Sequence, residues 1–340
     1  GGTMRLVARL LGAALVLSYV GGIITWLIAR ALLADSRWWG LALANTFAIY
    51  LYLPLPPLAW IAWRVGWRGV AATLLIPFLA CAWMFGGLVL PTTPPAIAGP
   101  TFTLMTFNIH GGYNHPDNVL RLIQEVQPDI IMLQEVGEWQ FAKLQDALQA
   151  LYPYQAPPQG YTSGLMSVFS RYPIVSVEWP PLRHVWRGAQ HVVVEIEGRP
   201  VHLLNLHLTS SSGVEYLRHM RWYLQQTYAQ RELEARSVSA YVAGLEGPVI
   251  VAGDLNTTAQ TTAYRILASS LDNAFAAAGW GAGHTYPAQP QRWMGWPTPA
   301  RVVRIDHILY SRHLVAIYAA VGPTRGGSDH LPVIAQLAFR

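Results

Sequence analysis

The sequence predicts an α/β domain of layered sheets with helices outside, set behind about three helices that cross a membrane. Three observations predict it. The first hundred residues are strongly apolar and hold the whole net charge. A Pro-rich spacer follows at 91–100. Beyond it, apolar runs alternate with helical spacings, and several runs end in a carboxylate, an amide or an imidazole.

The chain of 340 residues has a formal net charge of +5. Residues 1–100 carry six arginines and one acid, Asp35, while residues 101–340 carry 17 basic and 17 acidic side chains. The larger part is therefore neutral and lacks the basic footprint that tight DNA binding needs. Apolar stretches at 10–29, 39–63 and 70–90 each approach or exceed the roughly 20 residues a helix needs to span a hydrocarbon core. Pro54, Pro56 and Pro57 crowd the second stretch and predict a kink or an early end there. Trp38, Trp39, Trp60, Trp63 and Trp67 fall near span ends, where amphipathic rings favour the interface.

Arg5 and Arg9 precede the first span, whose apolar run is longer than the core of a signal peptide, so we read it as an uncleaved anchor. Gly1-Gly2-Thr3 ahead of Met4 reads as an added leader and is set aside. Arg64 and Arg68 fill the second loop. The positive-inside bias puts these four arginines in the cytoplasm, and three crossings carry residue 101 onward to the extracytoplasmic side. Cys81, the single cysteine, lies in the third span, which excludes an intrachain disulfide and a thiolate metal site.

The expected organisation is a membrane region at 1–90, a stiff linker at 91–100 and one domain at 101–340. Thr101–Asn108 alternates as a strand. Residues 118–126 have helical spacing, and 130–133 form an apolar run suited to a strand buried on both faces. Residues 201–208 read as a strand, 231–245 as a helix and 249–252 as a short buried strand. Strands at 302–310 and Val333–Phe339 complete a second group.

Chemistry-bearing residues gather at the ends of these runs. In the 201–208 strand, period-two geometry puts Asn205 and His207 on one face, as a hydrogen-bonded structural pair or a substrate-facing one. Glu135 ends a buried run, where it suits a hard cation or caps the next helix. Asp254 and Asn256, two apart after Gly253, suit the positioning of a water and a phosphate oxygen, or an ordinary turn. Asp329-His330 follows Gly326-Gly-Ser; an imidazole polarised by a carboxylate makes a general base or a cationic clamp. Asp306, expected in mid-strand, requires a cation or an imidazole. His110 and Arg171 are further candidates for substrate contact, against a solvated histidine and a surface ion pair. His307 should point to the opposite face of its strand and pack.

In order, Thr106-Phe-Asn108-Ile, Gln134-Glu135, Asn205-Leu-His207, Gly253-Asp254-Leu-Asn256, Arg304-Ile-Asp306-His and Ser328-Asp329-His330 resemble the endonuclease/exonuclease/phosphatase superfamily, the deoxyribonuclease I-like fold. The segment Gly164-Leu-Met-Ser-Val-Phe-Ser-Arg171-Tyr-Pro-Ile174 is similar to a strand of the same family, and the resemblance covers residues 101–340. It implies a four-layer αββα sandwich and a divalent-metal-dependent phosphoesterase. Asn108 and Glu135 would bind Mg²⁺ or Mn²⁺, with Asp329 assisting. Asp254 would orient or deprotonate the attacking water, and Asn256 would contact phosphate. His330, paired with Asp306, would act as base or stabilise the transition state, and His207 would face the phosphate or leaving group.

Fold does not choose a substrate. Tethering to a bilayer and the neutral domain favour a phospholipid or sphingolipid headgroup over nucleic acid. Two aromatic patches suit an interfacial lipid contact, or a substrate-rim loop packed on the domain or on the chain's own membrane helices, one at 213–230 with Tyr216, Met220, Trp222, Tyr223 and Tyr228, the other at Trp293-Met-Gly-Trp296. The rival expectations are an exported metal-dependent nuclease and a catalytically silent lipid- or glycan-binding module.

Overall fold

The computed structural model describes residues 2–90, 97, 99–158, 165–211, 219–293 and 296–340. Five helices open the chain: α1 (Gly2–Leu32), α2 (Trp39–Thr46), α3 (Leu55–Val65), α4 (Arg68–Thr73) and α5 (Leu75–Phe85). Helix α1 and the run Arg68–Leu88 are long and apolar enough to cross a membrane. The second expected span is instead two pieces, Trp39–Thr46 and Ala48–Val65, bent by 82°.

The bend does not fall at the prolines. Pro56 and Pro57 sit in the first turn of α3, where a missing N–H costs nothing. The bend falls at Phe47, because α2 is held elsewhere. Asn45 gives its amide N–H to Asp35 Oδ1 at 2.6 Å and accepts Trp26 Nε1 at 2.8 Å. Asp35 in turn accepts Thr262 N at 2.7 Å, and Ala42 packs with Leu224 and Tyr228. So α2 lies on the downstream domain, and the kink expected in this stretch is present, at Phe47 and not at the prolines.

Contacts at the two ends order the remaining helices. Arg9 Nε donates to Val65 O at 3.1 Å and its guanidinium lies over Trp67, which brings the start of α1 to the junction of α3 and α4. At the other end, Tyr50 donates to Val302 O at 2.6 Å and Gly281 N to Leu88 O at 2.8 Å. The apolar chain thus runs toward the domain in α1, away in α3 and back in α4–α5.

Among the described residues the domain has fourteen strands: β1 (Thr101–Asn108), β2 (Ile130–Gln134), β3 (Tyr154–Ala156), β4 (Met166–Ser170), β5 (Ile174–Glu178), β6 (Ala189–Ile196), β7 (Arg199–His207), β8 (Val249–Asp254), β9 (Asp272–Asn273), β10 (Gln291–Trp293), β11 (Trp296–Thr298), β12 (Asp306–Tyr310), β13 (Leu314–Val321) and β14 (Val333–Phe339). Two six-stranded sheets have the orders β13-β14-β1-β2-β4-β3 and β5-β6-β7-β8-β12-β9, and β10-β11 forms a separate hairpin. Leu104, Met132 and Val168 of one sheet meet Val192, Leu203, Ile250 and Ile308 of the other. Alternate residues face outward. Met105, Phe107, Ile131 and Leu133 pack under α6 (Pro116–Val126) and α7 (Glu138–Leu148). Leu204, Leu206 and Val251 pack under α8 (Met220–Ala243) and α9 (Thr262–Leu267). The result is helix, sheet, sheet, helix, and the 130–133 run is buried on both faces because each strand face has its own partner.

Two boundaries move. Helix α8 begins at Met220, eleven residues before the expected start, because Leu224 and Tyr228 find apolar partners on α2. Met220 and Tyr228 therefore pack on the chain's own N-terminal helices, and Arg221 lies over Trp39, which favours the packed alternative over an interfacial lipid contact for these residues. Residues 212–218, with Tyr216, and the tip and side chains of the Trp293–Trp296 patch lie outside the described residues. Strand β12 starts only at Asp306, so Asp306 is a strand end and not mid-strand.

His307 packs outward as expected, its Nε2 donating to Thr257 O at 2.8 Å and its ring 4.9 Å from Tyr264. Burial, then the charge of Arg304, pushes it down to about 3. The unfolded chain, with an imidazole near about 6.5, then binds more protons, so stability falls as pH drops below that value, by at most about 1.4 kcal/mol per pH unit. His307→Gln should flatten the Tm–pH curve between about pH 6 and about pH 4. Parallel acid limbs for the two proteins would contradict a neutral buried imidazole.

Candidate active site

Parallel pairing builds the site. Strand β1 runs parallel to β2, and β7 parallel to β8, so the C-terminal ends of all four reach one edge of the sandwich. Asn108, His207 and Asp254 are the last residues of β1, β7 and β8, and Glu135 follows β2 directly. Strand β12 is antiparallel to β8 with Asp306 opposite Asp254, so it begins where β8 ends. Strand β14 is antiparallel to β1, which brings the preceding turn, Asp329-His330, to the same edge. Ser328 fixes that turn: its hydroxyl donates to Asn108 O at 2.7 Å and accepts His330 N at 3.0 Å.

Backbone strain marks the same edge. His110, Glu135 and Asn256 have φ of 58°, 58° and 49°, in the left-handed region that non-glycine residues avoid. Gly253 has φ of 146°, and a Cβ there would run into the Leu206 carbonyl of β7. Only glycine lets β7 and β8 close up where His207 meets Asp254.

Asn108 Nδ2 donates to Asp254 Oδ2 at 3.0 Å and to Glu135 Oε1 at 3.2 Å, while its Oδ1 accepts His110 N. His207 Nε2 lies 3.4 Å from Asp254 Oδ2 and 3.7 Å from Glu135 Oε1. His330 Nδ1 lies 3.0 Å from Asp306 Oδ2, and its Nε2 faces Asp254 Oδ2 at 3.8 Å. Asn256 N donates to Asp254 Oδ1 at 3.0 Å, and its side-chain amide donates to Leu208 O. Asp329 pairs with His110 at 3.3 Å, and the His110 ring stacks on Tyr113.

The two imidazoles differ in charge. Burial disfavours the His330 imidazolium, but the facing carboxylates of Asp306 and Asp254 outweigh burial and raise it far above an ordinary histidine. Burial, then Arg187 and His330, hold His207 well below its usual range, so it is neutral. Burial raises the Asp254 carboxyl and Asp306 adds to the rise, against the opposing pull of His330.

The donor set fits a hard divalent ion. Glu135, Asp254, Asp306 and Asp329 converge on one edge, and ligand atoms of Asp254, Asp306 and His330 lie within 4.8 Å of one another. Oxygen donors in excess over positive charge suit Mg²⁺ or Mn²⁺ rather than a soft metal.

Nine of the eleven residues singled out in the sequence meet here: Asn108, His110, Glu135, His207, Asp254, Asn256, Asp306, Asp329 and His330. Two do not. Asn205 is fully buried between the sheets, where it accepts Gln134 Nε2 at 2.7 Å and donates to Leu133 O at 3.0 Å. Its amide is consumed holding one sheet to the other. Arg171 pairs with Asp129 at 3.1 Å over the Tyr152 ring. Asp129 precedes β2 and Glu135 follows it, so the strand's length, about 17 Å, separates Arg171 from the site.

Sequence reading missed Arg187, whose guanidinium contacts the His207 ring, and Arg231, which donates to the Asn256 carbonyl and to Ser211 Oγ. Tyr286, whose ring lies 4.9 Å from that of His330, was also missed. None ends an apolar run, which was the signal the other residues shared.

Fold and site define a metal-dependent phosphoesterase of the two-sheet sandwich class. The model of the Endonuclease/Exonuclease/phosphatase family matches residues 105–330, and the chain belongs to that family. It is a metal-dependent hydrolase acting on phosphate ester bonds. Among solved structures, D. rerio TDP2 complexed with a single-strand DNA product superposes with a TM-score of 0.56 at 14% identity, over 71% of this chain and 100% of that one. An endonuclease/exonuclease/phosphatase of Bacteroides vulgatus gives 0.54 at 20% identity, over 71% and 100%. The human Nocturnin catalytic domain with bound sulfate gives 0.50 at 22%, over 72% and 97%. These likenesses establish the fold. Among curated proteins no relative matches the chain.

Gly253→Ala should lower thermal stability by more than the ~1–3 kcal/mol of backbone strain alone, because its Cβ also meets the Leu206 backbone. Gly112→Ala, at φ of 83° with open space around its Cβ, should carry the strain alone. Equal melting temperatures for the two would remove the close approach as the reason for this glycine.

Proposed function

We propose that this chain is a membrane-anchored phosphodiesterase that hydrolyses a phospholipid or sphingolipid headgroup at the bilayer surface, with its catalytic domain outside the cytoplasm. One observation carries the lipid reading. The loop that bears Asn256 lies directly on the apolar helices: Thr258 Oγ1 donates to Asn45 O and Thr46 O, and Thr262 N to Asp35. A site whose rim is fastened to the segment that joins the membrane helices meets headgroups at far higher local concentration than soluble substrate. Sidedness follows from charge. Arg5, Arg9, Arg64 and Arg68 lie at the helix ends remote from the domain, and the positive-inside bias assigns that end to the cytoplasm.

Glu135 and Asn108 would hold Mg²⁺ (or Mn²⁺), with Asp329 alongside. Once bound, the ion supplies positive charge to the phosphoryl oxygens. Asp254, its carboxylate held by the Asn256 backbone and raised by burial, orients the attacking water and takes its proton. His330, kept as imidazolium by Asp306, faces the phosphate with its free Nε2 and gives a proton to the departing alkoxide. Neutral His207 donates a hydrogen bond to a non-bridging oxygen, and Asn256 and His110 line the substrate's path. Arg187, beside His207, adds a second positive charge for the phosphate.

Turnover is read by phosphorus NMR on full-length protein in detergent, with Mg²⁺, vesicles of phosphatidylcholine and sphingomyelin, and plasmid DNA. New headgroup phosphate signals are expected, lost with chelator and restored by Mg²⁺ or Mn²⁺. His330→Ala should lose about 10²–10⁴-fold with an unchanged circular dichroism spectrum. Glu135→Ala should raise the metal concentration required. DNA fragmentation with intact lipid would replace this reading by the nuclease.

A further inference from the structure

Arg304 is 9% exposed, and its Nε and Nη1 are buried without a hydrogen-bond partner among the described residues. Its guanidinium lies over the Phe275 ring at 4.5 Å, and the one ionisable neighbour that favours its charge is the Tyr264 hydroxyl. A buried cation with only aromatic company is poorly compensated, and guanidinium is the group proteins use to grip phosphate in a fork of donors. Asp306, two residues on, is committed to His330 and does not serve it.

Arg304 lines a cavity of about 190 Å³ between the N-terminal helices and the domain. The domain contributes Thr258, Gln260 and His284 beside Arg304, and the N-terminal segment contributes Ile49, Met84, Phe85 and Leu88. The volume is several times a water's share of the liquid, about 30 Å³, and the apolar side chains offer water few partners. Charged and apolar groups lining one cavity match an amphiphile. The cavity lies at the end of the helices that meets the domain, where Tyr50 donates to Val302 O and exposed Trp280 donates to Val89 O. Aromatic residues of this kind mark headgroup depth.

We propose that this seam is a second lipid site, separate from the catalytic edge, in which the phosphate of an anionic phospholipid sits on Arg304 and the start of its acyl chain lies against residues 48–50 and the end of α5. The proposal rests on the membrane placement of the N-terminal helices, and is independent of which ester the active site cleaves. The bound lipid joins helices to domain and neutralises Arg304. It also steadies residues 301–305, which lead into Asp306.

The test uses the full chain with His330→Ala as background, so that turnover does not remove the ligand. Delipidated protein in neutral detergent is titrated with phosphatidylglycerol or with inorganic phosphate, and read by melting temperature and native mass spectrometry. Phosphatidylglycerol should raise the melting temperature and remain bound with a stoichiometry near one. Arg304→Gln should weaken it at least tenfold. Because Arg304→Gln risks a folding defect, Gly87→Phe is the second variant. Gly87 lines the cavity and has open space around its Cβ, so the substitution adds bulk at the lining without changing Arg304. Equal stabilisation by inorganic phosphate would overturn the lipid assignment in favour of a simple anion site. Undiminished phosphatidylglycerol binding in both variants would overturn the site itself. Failure of lipid hydrolysis in the earlier assay, with binding here intact, would sink only the proposed substrate.

Discussion

Buried negative charge at one edge of the sandwich is the constraint on which the rest of the domain depends. Asp254 and Asp306 are almost inaccessible to solvent and stand opposite one another in adjacent strands. Two carboxylates taken out of water so close together are tolerable only with positive charge between them. His330 provides it, with one ring nitrogen on Asp306 and the other toward Asp254. Its position is therefore not free. The Ser328 hydroxyl ties the turn before β14 to the end of β1, and the β1–β14 pairing sets the height of that turn. The same charge excess suits a divalent ion, so the burial that makes these carboxylates costly is also what makes them useful.

Much of this was legible in the sequence because strand ends announce themselves. A run of four or five apolar residues buried on both faces must stop where a polar side chain is tolerated. Glu135 and Asp254 mark those stops. That Asp306 needs a cation or an imidazole was legible from burial, while His330 as that partner came from the family resemblance. Asn205 was misread for a related reason. Alternation correctly put it on the face of His207, but a strand face has depth as well as direction. Two residues further in, that face is the space between sheets, where Asn205 accepts from Gln134 Nε2 and donates to Leu133 O. Arg171 failed on distance along β2, which a motif list does not carry. Arg187 and Arg231 were invisible because they enter the site from a loop and a long helix, without periodic signal.

The N-terminal third was legible in composition and not in shape. Hydropathy sees 39–63 as one apolar stretch, but it cannot weigh Asn45 and Asp35, whose hydrogen bonds to each other and to Thr262 N draw α2 onto the domain. A helix that buries Leu41 and Ala42 against protein has no need of lipid, and apolarity alone does not separate the two environments. The same error shifted the start of α8, because the apolar residues of its first turns answer to α2 and not to the sheet.

The seam and the catalytic edge meet in one short segment. Arg304 turns toward the cavity beside the helices, the backbone N–H groups of Ile305 and Asp306 both point to Thr285 Oγ1, and the Asp306 carboxylate holds His330. Thr285 N in turn donates to Val303 O, and Thr285 O accepts Leu331 N from the far side of the histidine. A displacement of residues 302–304 by the helices therefore reaches the imidazolium through two backbone contacts and a single carboxylate. Coupling over so few links needs no long pathway, only a segment whose two ends serve different environments. The helices thus bear on the segment that positions the charge at His330.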